Sequence, residues 1–268
     1  MSDYNNIQTV NNVIYYSELF NKYKPSYYDA LQDLTIHTSF MSITLYLLYL
    51  SYVLNASVLS LPIIILLALL LNRSFIIFHD CCHNSYTPNK TANFILAHII
   101  GISILTSPNW ALDHHDHHLT VGNVDTKPEQ KHSWYDADIM SKKHFKQLSN
   151  DEQQLYTLYK HPAIFFTIAP LFHFVIFQRF IYIDKKIKNP HKYRQSLFII
   201  TLNHLINNIG IILLMVFMYR HKIWLQYSIS LLMYYSIKFM TLHNQHVFNP
   251  PYMAVSYTHL TLPTIYSV

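Results

Sequence analysis

Two short clusters gather histidines at spacings that suit metal coordination. HDCCH sets His79 and His83 four residues apart, and HHDHH offers His114, His117 and His118 at i, i+3 and i+4. On a helix, residues so spaced lie along one face. Neutral imidazole is the commonest metal-ligating side chain, and i, i+4 pairs recur in metal-binding helices. His115 points to a different face from His114 and His118 and is set aside. The chain holds 18 histidines, so an isolated one carries little weight. His37, His98, His161, His204 and His221 read as interfacial or hydrogen-bonded residues. A set of more than four imidazoles is too large for one tetrahedral zinc. Iron, copper, nickel and zinc all accept imidazole, so spacing alone leaves the metal open.

The elements that position these residues belong to a membrane. Of 268 residues, 51% are hydrophobic and 12% charged, whereas soluble domains carry about a quarter charged residues. A helix crosses a bilayer with about 20 apolar residues. Four stretches qualify: Thr38 to Ala56, Val58 to Phe78, Leu197 to Tyr219 and Trp224 to Leu242. The short connections within each pair predict two helical hairpins, so the chain before, between and after them shares one compartment. Two further apolar stretches, Asn93 to Thr106 and Pro162 to Ile183, are expected to be interfacial or packed helices. The first is too short to span, and the second holds two prolines, His173 and Arg179.

Lys and Arg concentrate between Lys90 and Arg194, which places that segment, and the histidines, in the cytoplasm. Arg220 and Lys222 in the second hairpin's turn run against the rule but are outnumbered. Arg73, near the end of the second span, can reach the cytoplasmic interface. No basic run is interleaved with stacking aromatics, so a nucleic-acid partner is not expected. Adjacent Cys81 and Cys82 could pair only with strain and read as reduced thiols. The polar N-terminal segment, residues 1–36, is no cleaved signal peptide. The expected fold is an all-α integral membrane protein: four transmembrane helices in two hairpins with a cytoplasmic histidine-lined cap.

The histidine clusters and their surroundings resemble the membrane fatty acid desaturase family, with its HxxxH and HxxHH boxes. RSFIIFHDCCHNSY, residues 73–86, is similar to the first box and its approach, with Cys82 and Asn84 where glycines are usual. Trp110, the HxxHH of His114, His117 and His118, then Thr120, Gly122, Asn123 and Asp125 follow the second box's surroundings. The tract from Tyr159 to Phe180 resembles the segment after the second box in bacterial-type acyl-lipid desaturases. FMTLHNQHVFNPPYMA, from Phe239, resembles the segment after the fourth span, where a Gln-His pair supplies a ligand. The resemblance implies that His79, His83, His114, His117, His118 and His246 hold two non-haem irons, with His243 a near neighbour. It implies O2 activation, an external electron donor (a ferredoxin or a small cytochrome) and insertion of a double bond into an acyl chain on a lipid or another acyl carrier. Asp80 and Asp116 become candidates for orienting ligand imidazoles, with Asn123 beside them.

The desaturase domain is expected over residues 37–254. The tail VSYTHLTLPTIYSV, residues 255–268, resembles no part of a desaturase and reads as a translated sequencing adaptor, non-native. A third histidine box is not found before it, so the chain is expected to fall short of the full ligand set and to be inactive as it stands. Related di-iron membrane oxygenases (acyl, carotenoid or sphingolipid hydroxylases and ketolases) share such boxes and form the alternative. A histidine-using metal transporter fits less well, because transport needs polar groups at membrane depth and the clusters lie outside the spans.

Overall fold

Ser26 opens the first helix: its hydroxyl accepts from the Asp29 amide at 3.0 Å, meeting one of the donors that every helix N-terminus leaves unpaired. The structure is a computed structural model. It describes residues 24–112, 114–115, 145–188, 190–191 and 195–247, the last six and residues 185 and 188 by backbone only. The long helices are α1 (Tyr27–Val53), α2 (Ser57–Cys82), α3 (Lys90–Ser103), α8 (Leu197–Arg220) and α9 (Trp224–Val247). Between α3 and α8 lie α4 (Asn150–Tyr159), α5 (Pro162–Phe165) and α6 (Ile168–Leu171). A π-helical segment, Phe172–Phe177, carries α6 into α7 (Gln178–Lys188). No strand occurs among the described residues, as the all-α expectation requires.

Four helices end alike. Asn55, Asn84, Leu105 and Lys222 adopt left-handed φ values of 53°, 58°, 52° and 62°. The amide after each reaches back five residues to a helix carbonyl: Ala56 to Ser51, Ser85 to Asp80, Thr106 to Gly101 and Ile223 to Met218, all at 2.8–3.0 Å. This is the Schellman ending, which usually takes glycine at the left-handed position. With 3 glycines in the whole sequence, asparagine, leucine and lysine stand in that position here.

α2 is the centre of the molecule, packed against α1, α3 and α9, while α8 lies chiefly on α3. Its Leu67, Leu71, Ile77 and Phe78 are fully buried, as are Tyr234 and Tyr235 of α9. Helix directions follow from cross-contacts. Arg73 near the end of α2 pairs with Asp33 near the start of α1 at 2.6 Å, so these two run antiparallel. Ser230 of α9 donates to the Ile64 carbonyl at 3.0 Å, and Lys238 lies 3.4 Å from the Phe75 ring centroid. Both numbers increase together, so α9 runs parallel to α2. Tyr86 adds to the α1–α2 clasp, donating to Asp33 Oδ2 at 3.0 Å. Burial and the Asp33 carboxylate push its phenol pKa above the usual value, which keeps it a donor.

Among the described residues, four helical stretches are long and apolar enough to cross a bilayer: Tyr27–Val53, Ser57–Cys82, Pro162–Asp184 and Leu197–Arg220. Three answer to expected spans. Pro162–Asp184 was expected to stay out of the bilayer. By length and composition it qualifies, though Phe166 and Thr167 interrupt it with a turn. The fourth expected span is present as a 24-residue helix, α9, but falls below that apolarity. Its polar side chains are the reason: Ser230 is fully buried and bonded to α2, and Lys238 covers a ring. Contact with protein tolerates such groups where lipid would not.

Candidate metal centre

His79 lies on the last turn of α2 and His83 is the residue that caps it. Helical period places both imidazoles on one side, with ring centroids 4.4 Å apart. Beyond the cap, Asn84 takes its left-handed conformation, at a place where desaturase-like first boxes carry glycine. The chain therefore turns away sharply and leaves the end of α2 open. Asp80 Oδ1 stands 3.1 Å from His79 Nδ1, placing a carboxylate on that ring nitrogen.

His114 comes from a separate helical turn that begins at Trp110. Ser107 caps that turn, accepting from the Asn109 amide at 3.3 Å, and Pro108 follows at the position where a missing N–H costs nothing. Trp110 stacks on His114, centroids 3.9 Å apart and 22° between planes. It also meets Phe75 edge-on at 5.2 Å and Phe78 at 5.7 Å. The indole is thus wedged between the apolar end of α2 and the His114 ring. His114 lies 4.7 Å from His79 and 5.1 Å from His83, centroid to centroid.

Each of these three imidazoles offers a ring nitrogen within 4.8 Å of the others. Two nitrogens on one ion at imidazole–metal distances near 2.1 Å lie at most about 4.2 Å apart, a separation that a small rotation of these rings would reach. Three neutral nitrogen donors suit a transition metal and leave positions for further ligands. His79 and His114 are partly buried and His83 is exposed, so the cluster faces out of the helix bundle. The donor set fits iron.

The structure thus brings together three of the six expected ligands. His117 and His118, with Asp116 and Asn123, lie outside the described residues. His243 and His246 lie on the backbone of the last turns of α9, and their side chains lie outside the described set. Their level can still be read, because α9 is parallel to α2 and Lys238 is level with Phe75. Beyond that contact α2 runs on to its His83 cap, and the last turns of α9, with His243 and His246, run on in the same direction. His115 is exposed. His37 bonds Ser74 at 2.9 Å, His98 and His204 are buried in the bundle, and His221 packs on Phe217 with centroids 4.4 Å apart. No local pattern signals that side chains from α7, α8 and α9 converge on the segment leading into Trp110.

Comparison with known proteins gives this centre its context. The family model described as fatty acid desaturase matches residues 56–267. The match continues past Ala254 and so does not mark the domain boundary expected there. A fatty acid desaturase of Bacillus subtilis is 34% identical over 123 residues, 46% of this chain and 34% of that protein. A Synechocystis sn-1 acyl-lipid omega-3 desaturase (ferredoxin) is 37% identical over 62 residues, 23% of this chain and 16% of the relative. A chloroplastic omega-3 fatty acid desaturase of Ricinus communis is 35% identical over 77 residues, 28% of this chain and 15% of its own length. The chain thus aligns with about a third or less of these relatives' lengths. No solved structure matches it. A family match over most of the sequence, taking in the helix tip and turn that bring His79, His83 and His114 together, makes the chain a member of the fatty acid desaturase family.

Proposed function

We propose that this chain is the membrane-embedded catalytic part of an acyl-lipid desaturase, residues 37–254 forming its domain. The observation that carries this reading is the meeting of His79, His83 and His114, residues from two histidine boxes far apart in sequence, within 4.8 Å. In the proposed centre His117, His118 and His246 complete the ligand set for two irons. The run of α9 parallel to α2, toward the end that carries His83, supports the inclusion of His246. When bound, the irons would supply the oxidising chemistry that activates O2 and removes hydrogen from an unactivated methylene.

The chain's own residues do the positioning. A proton on His79 Nδ1 directed at Asp80 turns Nε2 toward the metal side and fixes the tautomer, as carboxylate partners of ligand histidines do. Trp110, with Phe75 and Phe78 behind it, walls the histidines from the apolar core. An acyl chain would approach along that aromatic wall. A ferredoxin or a small cytochrome would deliver electrons from the aqueous side, where His83 is exposed. The Synechocystis relative and one from Nostoc have ferredoxin in their names, which supports the first.

Four helices, α1, α2, α8 and α9, are proposed to cross the bilayer in two hairpins. That α9 runs parallel to α2 and packs along it supports the two spanning together. The start of α1, the histidine end of α2 and the end of α9 then share one face. The basic residues between Lys90 and Arg194 assign that face to the cytoplasm.

Iron and product together test the reading. The purified 268-residue chain is expected to bind iron, and His79→Ala, His83→Ala and His114→Ala should each release it. Cells carrying the full-length gene should accumulate unsaturated acyl chains, and each histidine variant should abolish them. Iron retained in all three variants would overturn the metal assignment, and a hydroxylated chain in place of an alkene would overturn desaturation.

A further inference from the structure

The segment between α3 and Trp110 has four successive backbone carbonyls, and each is held by a side chain from elsewhere in the bundle. Tyr227 of α9 donates to the Ser103 carbonyl at 2.5 Å. Tyr235, two turns further along α9, donates to Ile104 at 3.0 Å. The Arg179 guanidinium of α7 donates to Leu105, and Asn207 of α8 donates to Thr106 at 3.2 Å. Asn109 completes the set. Its amide donates to the Ile200 carbonyl at 2.8 Å and accepts from Asn203 at 3.0 Å, both on α8. The next residue is Trp110, and His114 follows on the same turn.

Ordinary folding does not require this arrangement. The last carbonyls of a helix can be left to water or to the following turn. Here Thr106, Ser107, Asn109, Asn203 and Asn207 are almost completely buried, so each donor is matched to a carbonyl with no water to substitute. Leu105 is held left-handed at φ 52°, where a residue with a side chain is disfavoured, and the surrounding bonds keep it there. Arg179 also bonds Asn207 Oδ1 at 2.9 Å and Asn208 Oδ1 at 3.0 Å, tying α7 to α8 at the same point. Three helices therefore determine where the Trp110–His114 turn begins.

We propose that Tyr227, Tyr235, Arg179, Asn203 and Asn207 are positioning residues that dock the segment 103–109 so that Trp110 and His114 close onto His79 and His83. They touch neither a metal nor an acyl chain. They act through the backbone that carries His114, and so set the geometry of the metal site from a distance. The metal part of this proposal rests on the proposed function.

The test compares Tyr235→Phe and Asn207→Leu with Ser230→Ala. The last removes another buried hydrogen bond from α9, to Ile64 of α2, away from this segment. All are made in the full chain, in a Trp134→Phe, Trp224→Phe background that leaves Trp110 as the one tryptophan of three. Two quantities are read on detergent-solubilised protein: acrylamide quenching of Trp110 fluorescence, and Co(II) affinity from its ligand-field absorption. A thermal midpoint is recorded for each variant to match them for stability. Tyr235→Phe and Asn207→Leu are expected to increase quenching of Trp110 and to weaken Co(II) binding about tenfold, the scale seen when partners behind metal ligands are removed. Ser230→Ala should do neither at a comparable loss of midpoint.

Quenching and Co(II) affinity unchanged in both variants, or changed equally in Ser230→Ala, would overturn the proposal and leave the network a purely structural one. A parent protein that binds no Co(II) would instead defeat the metal reading. The quenching comparison alone would then decide whether these residues place the Trp110 turn.

Discussion

Gly101 shows how little room the docking segment leaves. A Cβ at this position would stand 2.3 Å from the Thr106 carbonyl oxygen and 3.2 Å from the Phe78 ring. The first is backbone, held in turn by Asn207, and cannot move aside as a side-chain tip can. Gly101→Ala is therefore expected to destabilise the protein by about 1–3 kcal/mol, as overpacking does, and to shift the Trp110 emission. Thermal unfolding in detergent measures the first effect and fluorescence the second. An unchanged midpoint would mean that the turn after α3 can yield. Asn84 makes the complementary case: it occupies a left-handed position with its side chain intact, a conformation asparagine tolerates. Its glycine-to-asparagine departure from the resembling motif therefore leaves the turn after His83 in place.

At the scale of elements, the repeated helix ending is the feature to exploit. Lys222 ends α8 at φ 62°, and it is exposed, its ammonium 5.3 Å from the Tyr219 ring centroid. A lysine in this conformation costs about 1–2 kcal/mol relative to glycine, and the ring contact at an exposed site returns only about 0.5–1 kcal/mol. Lys222→Gly should therefore stabilise the α8–α9 connection by up to about 1 kcal/mol, seen as a raised midpoint. A lowered one would show that the Tyr219 contact outweighs backbone strain. The helices themselves follow from local signals. Asn89 caps α3, accepting from the Thr91 amide at 2.8 Å. Ser149 and Glu152 form a reciprocal capping box at α4, the pattern that marks a helix start in sequence. α9 is the exception, because its serines, tyrosines and lysine blur an apolar run that packing nevertheless shelters.

The whole molecule poses the question of which segments cross the bilayer. If α1, α2, α8 and α9 do, the turns at Leu54 and His221 face outward, and the region around Ile187 stays with the histidines. If Pro162–Asp184 crosses in place of α9, Ile187 lies outside. Leu54→Cys and His221→Cys, in a background without Cys81 and Cys82, should react with a membrane-impermeant maleimide on intact cells. Ile187→Cys should react only after permeabilisation. Labelling of Ile187→Cys from outside would reject the two-hairpin arrangement. Arg220 and Lys222 stand on the outward turn against the charge rule, which makes His221→Cys the most demanding of the three. The antiparallel Arg73–Asp33 contact and the parallel run of α9 beside α2 are the structural basis for the expected pattern.

By itself the sequence determined the all-helical class, three of the apolar helices and the pairing of His79 with His83. These are consequences of period and composition, properties that residues a few positions apart settle among themselves. It also singled out His114, by the spacing of its box and by resemblance. Tertiary structure alone decided that His114 meets the first pair, because 31 residues and a whole helix, α3, separate His83 from it. It alone put Asn109 against Asn203 and Thr106 against Asn207, contacts between residues about a hundred positions apart. No local pattern encodes which carbonyl a buried asparagine will find. That depends on which helix faces pack together, and packing is a property of the folded whole.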